Sequence, residues 1–318
     1  MGRGRLSVDI IMTYRSCTVV FIALVLGAGP ALAWQNWYRY ENDSFVVYSD
    51  ASTRQVRNAV EHLELFRAAV TQVANIAVPA DAPKVTLVIV DSHARFHRII
   101  GSQYLSGATF DIDGIPHIVA ASGAKTRRME ESLRHAYAHI LLAYKNYPYP
   151  PWFDEGFAEL VTQTTFRNRN TTFSLGEPSG RRIWDKSMRP WEEILGPDLD
   201  FHSFEFVRDR SDAHLQSWLL THYFMLGNDF GNAGQLQQYL DLLAAGHDSV
   251  EAMETVLGEP LEVWARRLVR KHANEFQKYY TVELKVPPSY SKLSDREEVP
   301  ASEVEPILDH IRDTRQHY

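Results

Sequence analysis

Cysteine is almost absent from this sequence, since Cys17 is the only one among 318 residues. We expect it to leave with the N-terminal segment described below, so the remaining chain would have no disulfide and no thiolate metal ligand. Any zinc would then have to be bound by histidine and carboxylate side chains. A cysteine-free chain of this size can bury a large core instead of relying on disulfides.

Long apolar runs are also scarce, and the clearest is CTVVFIALVLGAG, which starts at Cys17. Three arginines (Arg3, Arg5 and Arg15) form a basic start, and Ala31-Leu32-Ala33 has the small-x-small pattern of a cleavage site. We therefore predict a signal peptide over residues 1–33 and a periplasmic or secreted protein. The alternative is a membrane anchor, but the run is short and interrupted by glycine and proline.

Positive charge is in deficit, with a net charge of −7 at pH 7. Without residues 1–33, which hold three arginines and one aspartate, 30 basic and 39 acidic residues remain, for a net charge of −9. This balance gives no indication of a nucleic-acid partner. After cleavage we also expect no stable membrane span.

The pattern of apolar residues predicts an α+β fold with a small mixed sheet and a helical C-terminal half. Between them lies a helix that carries the HxxxH motif of His135 and His139, called the motif helix below. Strands are predicted at residues 44–48 and 85–90, with a long helix capped by Ser52 between them. We divide the chain into the signal peptide, an α/β part (34–125), a helical part of the same domain (126–285), and a tail with a short helix (286–318).

A hairpin is predicted around Asp113-Gly114, a favourable pair for a tight turn. Its second strand, His117-Ile118-Val119-Ala120, comes just before the motif helix. The family resemblance given below implies that this strand is the sheet edge that binds an extended peptide by backbone pairing.

The most informative segment is RHAYAHILLAYKNYPYPPWFDEGFAEL, from Arg134 to Leu160. His135 and His139 are four residues apart, so a helix presents both imidazoles on one face. A proline-rich turn then leads to a second helix that carries Glu155 and, four residues later, Glu159. This combination of residue types is typical of a zinc site bound by two histidines and a glutamate.

The segment HAYAH…PPWFDEGFAEL resembles the HEYAH…PxWxxEGFAE signature of gluzincin-type zinc metallopeptidases. More narrowly, the chain resembles a family of exported bacterial gluzincin-like proteins, which WYRYENDSFVVYSDAS and HLQSWLLTHYFMLG also fit. The resemblance spans roughly Trp34 to Lys271. It implies a gluzincin-like fold, with His135, His139 and Glu155 as zinc ligands.

The resemblance fails at one position, because Ala136 stands where the signature has its catalytic glutamate. General-base catalysis is typically worth about 10²–10⁴-fold in rate, so we expect depleted or absent hydrolysis. Glu131, one turn before His135, is the nearby helical carboxylate that could replace the base, but its direction suits an accessory ligand or a residue that supports His135 better. Asp154 is expected to point away from the ligand glutamate.

The remaining site residues are expected in supporting roles. Glu159 is predicted to orient an imidazole N–H from outside the ligand set. His222 and Tyr223 are candidates for stabilising an oxyanion, with a packed core histidine beside an aromatic neighbour as the alternative.

Three functions remain open on the sequence. The first is an exported, catalytically impaired zinc-peptidase homologue that binds a peptide or unfolded protein segment. The second is an active zinc metallopeptidase that uses Glu131 as an unusual base. The third is a non-enzymatic envelope or assembly protein without metal, in which Glu155 would turn outward.

The predicted signal peptide implies export of the protein with cleavage after Ala33. N-terminal sequencing of the exported protein should begin at Trp34. Recovery of the intact apolar run in the membrane fraction would instead support the anchor.

Overall fold

A mixed sheet with helices on both faces dominates the computed structural model. The structure describes residues 36–102, 105, 107–122, 126–177, 188–197, 199–201, 212–230, 232–275, 279–285 and 291–314. The predicted signal peptide lies outside these residues. The predicted α+β class is confirmed.

The main sheet has six strands in the order β4-β5-β3-β2-β1-β9. β2, β3 and β5 run parallel to one another, and the remaining pairs are antiparallel. A second sheet has three antiparallel strands in the order β6-β7-β8. The strands are β1 (Trp37–Glu41), β2 (Phe45–Ser49), β3 (Val85–Val90), β4 (Gly107–Ile112), β5 (Ile115–Ala121), β6 (Phe166–Arg167), β7 (Thr172–Leu175), β8 (Tyr280–Glu283) and β9 (Glu297–Val299).

Helices fill most of the described chain after β5, as the sequence predicts. The described helices are α1 (Thr53–Ala74), α2 (His93–Ile100), α3 (Thr126–Ala143), α4 (Pro151–Thr162), α5 (Trp191–Leu195), α6 (Asp212–Phe230), α7 (Ala233–Ala244), α8 (Ser249–Leu257), α9 (Leu261–Glu275) and α10 (Ala301–Thr314). Among the described residues, none of these helices combines the length and apolar character needed to cross a membrane.

Strand β3 shows why the sheet is covered on both faces. All six of its side chains are buried, which is typical of an internal parallel strand. Successive side chains point to opposite faces. Leu87 and Ile89 therefore join the large core that includes α1, α3, α4 and α6, while Val88 and Val90 join a second core formed with α2 and α10.

Local signals in the sequence form as predicted. Ser52 caps α1 in a complete capping box with Gln55. Asp113 and Gly114 take positive φ values of 54° and 78°, as a tight turn between β4 and β5 requires. A short helix, His93–Ile100, follows β3 and is capped by Ser92.

The predicted sheet edge at His117–Ala120 is wrong. β5 pairs with β3 on one side and with β4 on the other, so its backbone groups are already used. His117 is buried, and its Nδ1 lies 2.8 Å from the carbonyl oxygen of Ile115. Burial lowers the pKa of His117, which favours a neutral side chain. Among the described strands, β4 is the edge on this side of the sheet.

The tail contributes more to the fold than a short docked helix. β9 adds to the sheet beside β1, and Val304, Leu308 and Ile311 of α10 are fully buried in the second core. Gln35 to Tyr318 accordingly forms one compact unit.

Helices α4 and α6 pack closely against each other at Gly156, next to the site. A Cβ atom at Gly156 would lie 2.2 Å from Thr221 Oγ1 and 2.3 Å from the Ser217 carbonyl oxygen. Only glycine fits there without moving backbone. Because Gly156 follows Glu155 directly, this contact fixes the position of Glu155 against α6.

Replacing Gly156 with alanine should therefore destabilise the fold by about 3 kcal/mol, at the upper end of overpacking effects. Denaturant unfolding followed by circular dichroism measures this. Gly234→Ala in α7 is the matched control, because nothing lies within 4 Å of a Cβ there. A Gly156→Ala variant as stable as the control would contradict the close approach.

Candidate metal centre

Helix α3 brings the two imidazoles of the HxxxH motif together. His135 and His139 lie one turn apart, and their Nε2 atoms are 3.3 Å from each other. The ring centroids are 5.0 Å apart, with the planes inclined at 74°. Both side chains keep some exposure, at 29% and 15%, so a solute can reach the nitrogen atoms.

The turn after α3 folds α4 back against it. Asn146 adopts a left-handed conformation with φ of 48°, and Pro151 starts α4 at a position that needs no N–H donor. Arg134 Nη1 donates to the Thr164 carbonyl oxygen at 2.6 Å, which fixes α3 against the end of α4. Glu155 consequently faces the two histidines.

Three candidate ligand side chains converge at nearly equal separations. Glu155 Oε1 is 3.4 Å from His135 Nε2, and Glu155 Oε2 is 3.6 Å from His139 Nε2. Two ligands of a tetrahedral zinc, each about 2.0–2.1 Å from the ion, lie roughly 3.4 Å apart. The spacing of His135, His139 and Glu155 therefore suits a tetrahedral metal ion without rearrangement of the helices.

Glu155 is a buried carboxylate, with 2% of its surface exposed. Burial alone would raise its pKa, but the charges of His135, His214 and His139 outweigh burial and hold the pKa well below its usual range. None of the described residues meets hydrogen-bond geometry with Oε1, but His135 Nε2 and His214 Nε2 lie 3.4 Å and 3.3 Å from it. A buried, ionised oxygen needs a positive charge beside it, and a metal ion held by neutral imidazoles would supply that charge in place of charged imidazoles.

Asp154, which was expected to point away from Glu155, contacts the site through His139. Its Oδ2 accepts a hydrogen bond from His139 Nδ1 at 3.1 Å. A carboxylate on one imidazole nitrogen fixes the ring orientation and leaves the other nitrogen for the metal. Asp154 therefore aims His139 Nε2 at the ligand group.

His214 of α6 is a site residue that the sequence analysis missed. Its Nε2 lies 3.3 Å from Glu155 Oε1, and its ring meets the Phe201 ring edge-on at 5.5 Å. In the sequence, the HLQSW segment that begins with His214 indicates only the resemblance to exported gluzincin-like proteins. No spacing rule connects a histidine on α6 with a motif on α3 and α4, so only the packing of the helices reveals the contact.

Glu159 lies near the imidazole of His214. Its carboxylate forms a group with Glu155 and His214 in which the ligand atoms lie within 4.8 Å of one another. His135, His139 and Glu155 form another such group. These two groups of described residues could each hold a metal ion.

A cleft of about 920 Å³ opens beside the histidines, between β4, α3 and α4. Ala136 lines it with only 4% of its surface exposed, so a side chain at this position borders the space next to the ligands. Glu131 lines the same cleft. A Cβ at Gly107 would lie 2.8 Å from Ser132 Cβ, so β4 packs directly on α3.

A smaller cavity of about 550 Å³ adjoins the other side of His139 and Glu155. The proline-rich turn and the segment before α6 supply its apolar lining, which includes Tyr147, Tyr149 and Phe201. The ligand group therefore lines both the larger cleft and this smaller cavity.

The two predicted oxyanion candidates lie away from the ligand group. His222 is eight residues after His214, or about 12 Å along α6, and its ring packs on Trp218 at 5.0 Å. The Tyr223 hydroxyl donates to Gln235 Oε1 at 3.3 Å on α7. The core-histidine alternative describes His222 correctly.

Asp154→Ala should weaken metal binding about 10–100-fold, the usual effect of removing a carboxylate that orients a histidine ligand. Competition with a chromogenic chelator measures this affinity. Asp241→Ala on the exposed face of α7 is the control and should bind as the wild type does. Equal affinity in both variants would contradict the orienting role of Asp154.

Neither a family model nor a curated protein matches this chain. The capacity to hold a metal ion therefore rests on the donor set, the spacing and the burial of these side chains.

Proposed function

We propose that this protein is an exported, zinc-binding homologue of gluzincin metallopeptidases that binds extended peptide segments and hydrolyses them poorly. One observation carries the proposal: His135, His139 and Glu155 converge at tetrahedral spacing while Ala136 borders the same cleft. The donor set of two imidazoles and one carboxylate suits zinc.

Each residue of the site has a separate role in this proposal. His135, His139 and Glu155 would hold zinc, and Asp154 would orient His139. Zinc, when bound, supplies a Lewis acid that polarises a peptide carbonyl. Ala136 can neither accept nor donate a proton, so the general-base contribution of about 10²–10⁴-fold is missing.

The cleft suits an extended peptide. In the described part of the chain, the six-stranded sheet ends at β4, and residues Gly107–Asp111 of this strand line the cleft. A peptide can add to such an edge through backbone hydrogen bonds. The aromatic cavity beyond His139 would then accept a bulky apolar side chain of the same peptide.

An active enzyme with Glu131 as base is the second candidate, because Glu131 lines the same cleft. Its position one turn before His135 is less suitable than position 136, which lies between the two histidines in sequence. The metal-free alternative required Glu155 to turn outward, whereas Glu155 is buried beside three imidazoles. Burial of this carboxylate favours the metal-binding proposals.

Replacing Ala136 with glutamate should raise peptidase activity by about 10²–10⁴-fold, because it restores the missing base. The assay is cleavage of an unstructured protein with zinc present, alongside elemental analysis of both proteins. Ala136→Gln is the matched control, since it has nearly the same size but no carboxylate. We expect the control to bind zinc and stay nearly inert.

Two results would overturn this proposal in different ways. Brisk cleavage by the wild type that Glu131→Gln abolishes would make Glu131 the base. Absence of zinc from the wild type, unchanged by His135→Ala, would remove the metal site altogether. If both forms bind zinc and peptide but neither cleaves, the peptide-binding part of the proposal stands without a latent enzyme.

A further inference from the structure

Glu155 belongs to both groups of candidate ligands. It forms one group with His135 and His139 and another with Glu159 and His214. Within each group the ligand atoms lie within 4.8 Å of one another. Two ligands of one zinc ion are at most about 4.2 Å apart, so each group needs only small side-chain movements to hold an ion.

The two groups do not merge into one. If all these side chains belonged to a single ion, His214 would have to lie close to both His135 and His139. Among the described residues it is grouped with Glu155 and Glu159 instead. Glu159 is four residues after Glu155, or about 6 Å along α4, so the second group extends along this helix.

A buried oxygen atom lies between the two groups. Glu155 Oε1 is 3.4 Å from His135 Nε2 and 3.3 Å from His214 Nε2, and it has no hydrogen-bond partner among the described residues. Because 2% of Glu155 is exposed, solvent cannot easily satisfy this oxygen. A carboxylate has two oxygens and four lone-pair sites, so it can serve one ion on each side.

Carboxylates also outnumber imidazoles in the lining of the cleft. The acidic side chains that line it are Asp111, Glu131, Asp154, Glu155, Glu159 and Asp200. The part of the lining that the structure describes contains no lysine or arginine. A second ion beside Glu159 would reduce the repulsion between the Glu155 and Glu159 carboxylates.

We propose that a second divalent transition-metal ion binds to His214 and Glu159 and shares Glu155 with the first ion. Zinc is the ion that we propose for this second position. The result is a two-metal centre bridged by the Glu155 carboxylate. The inference rests on the proposed function, because the bridge uses the zinc ligand Glu155. It assigns His214 a direct metal contact, with α6 as a third helix of the site.

Metal stoichiometry tests this inference. The full chain is stripped with a chelator, reloaded with excess Zn²⁺, passed over a desalting column and analysed for zinc. We expect about two equivalents in the wild type and about one in His214→Gln. His222→Gln is the matched control, because it removes another buried histidine of α6 that lies away from the site, and it should retain two equivalents.

The outcomes separate this inference from the proposed function. If the wild type binds one equivalent of zinc and His135→Ala binds none, the second metal site does not exist and the first zinc site remains supported. Two equivalents that His214→Gln does not change place the extra ion elsewhere and overturn the inference. No zinc in the wild type overturns both proposals.

A measurement on the wild type avoids any dependence on variants that fold poorly. Cobalt(II) is added in one and then two equivalents, and the paramagnetic resonance signal is recorded. Ions in a two-metal site lie about 3.5–4 Å apart, so we expect magnetic coupling to reduce the signal per cobalt at the second equivalent. A signal that simply doubles would show two separate ions and overturn the shared centre.

Discussion

The rest of the site depends on the electrostatic interaction between the ionised carboxylate of Glu155 and the three imidazoles that enclose it. Its low pKa comes from the surrounding histidines, which overcome the opposing effect of burial. His135 and His139 come from α3, Glu155 from α4 and His214 from α6, so three helices must pack correctly to enclose one charge. The absence of a side chain at Gly156 is what lets α4 approach α6 closely enough.

Local features of the fold could be predicted because short-range physics determines them. The Ser52 capping box and the Asp113-Gly114 turn each depend on a few consecutive residues. The convergence of His135 and His139 follows from helical periodicity, and the prolines before Trp152 predict that the chain reverses. The sequence was therefore sufficient to propose the first group of ligands.

Features that depend on how separate elements pack could not be predicted in the same way. β5 and β4 both had strand patterns, but the pairing of β5 with β3 decides which of them is the edge. Asp154 reaches His139 because of how α4 lies against α3. His214 contacts Glu155 across a contact between α4 and α6 that no sequence spacing encodes.

The short strand β9 gives the two edges of the sheet different properties. It has three residues, two of them exposed glutamates, and Pro300 follows it directly. Charge, brevity and a nearby proline are features that discourage further strand pairing. In the described sheet the longer, six-residue edge is β4. The strand β9 therefore discourages pairing at one edge, while the candidate metal ligands line the same cleft as the other edge.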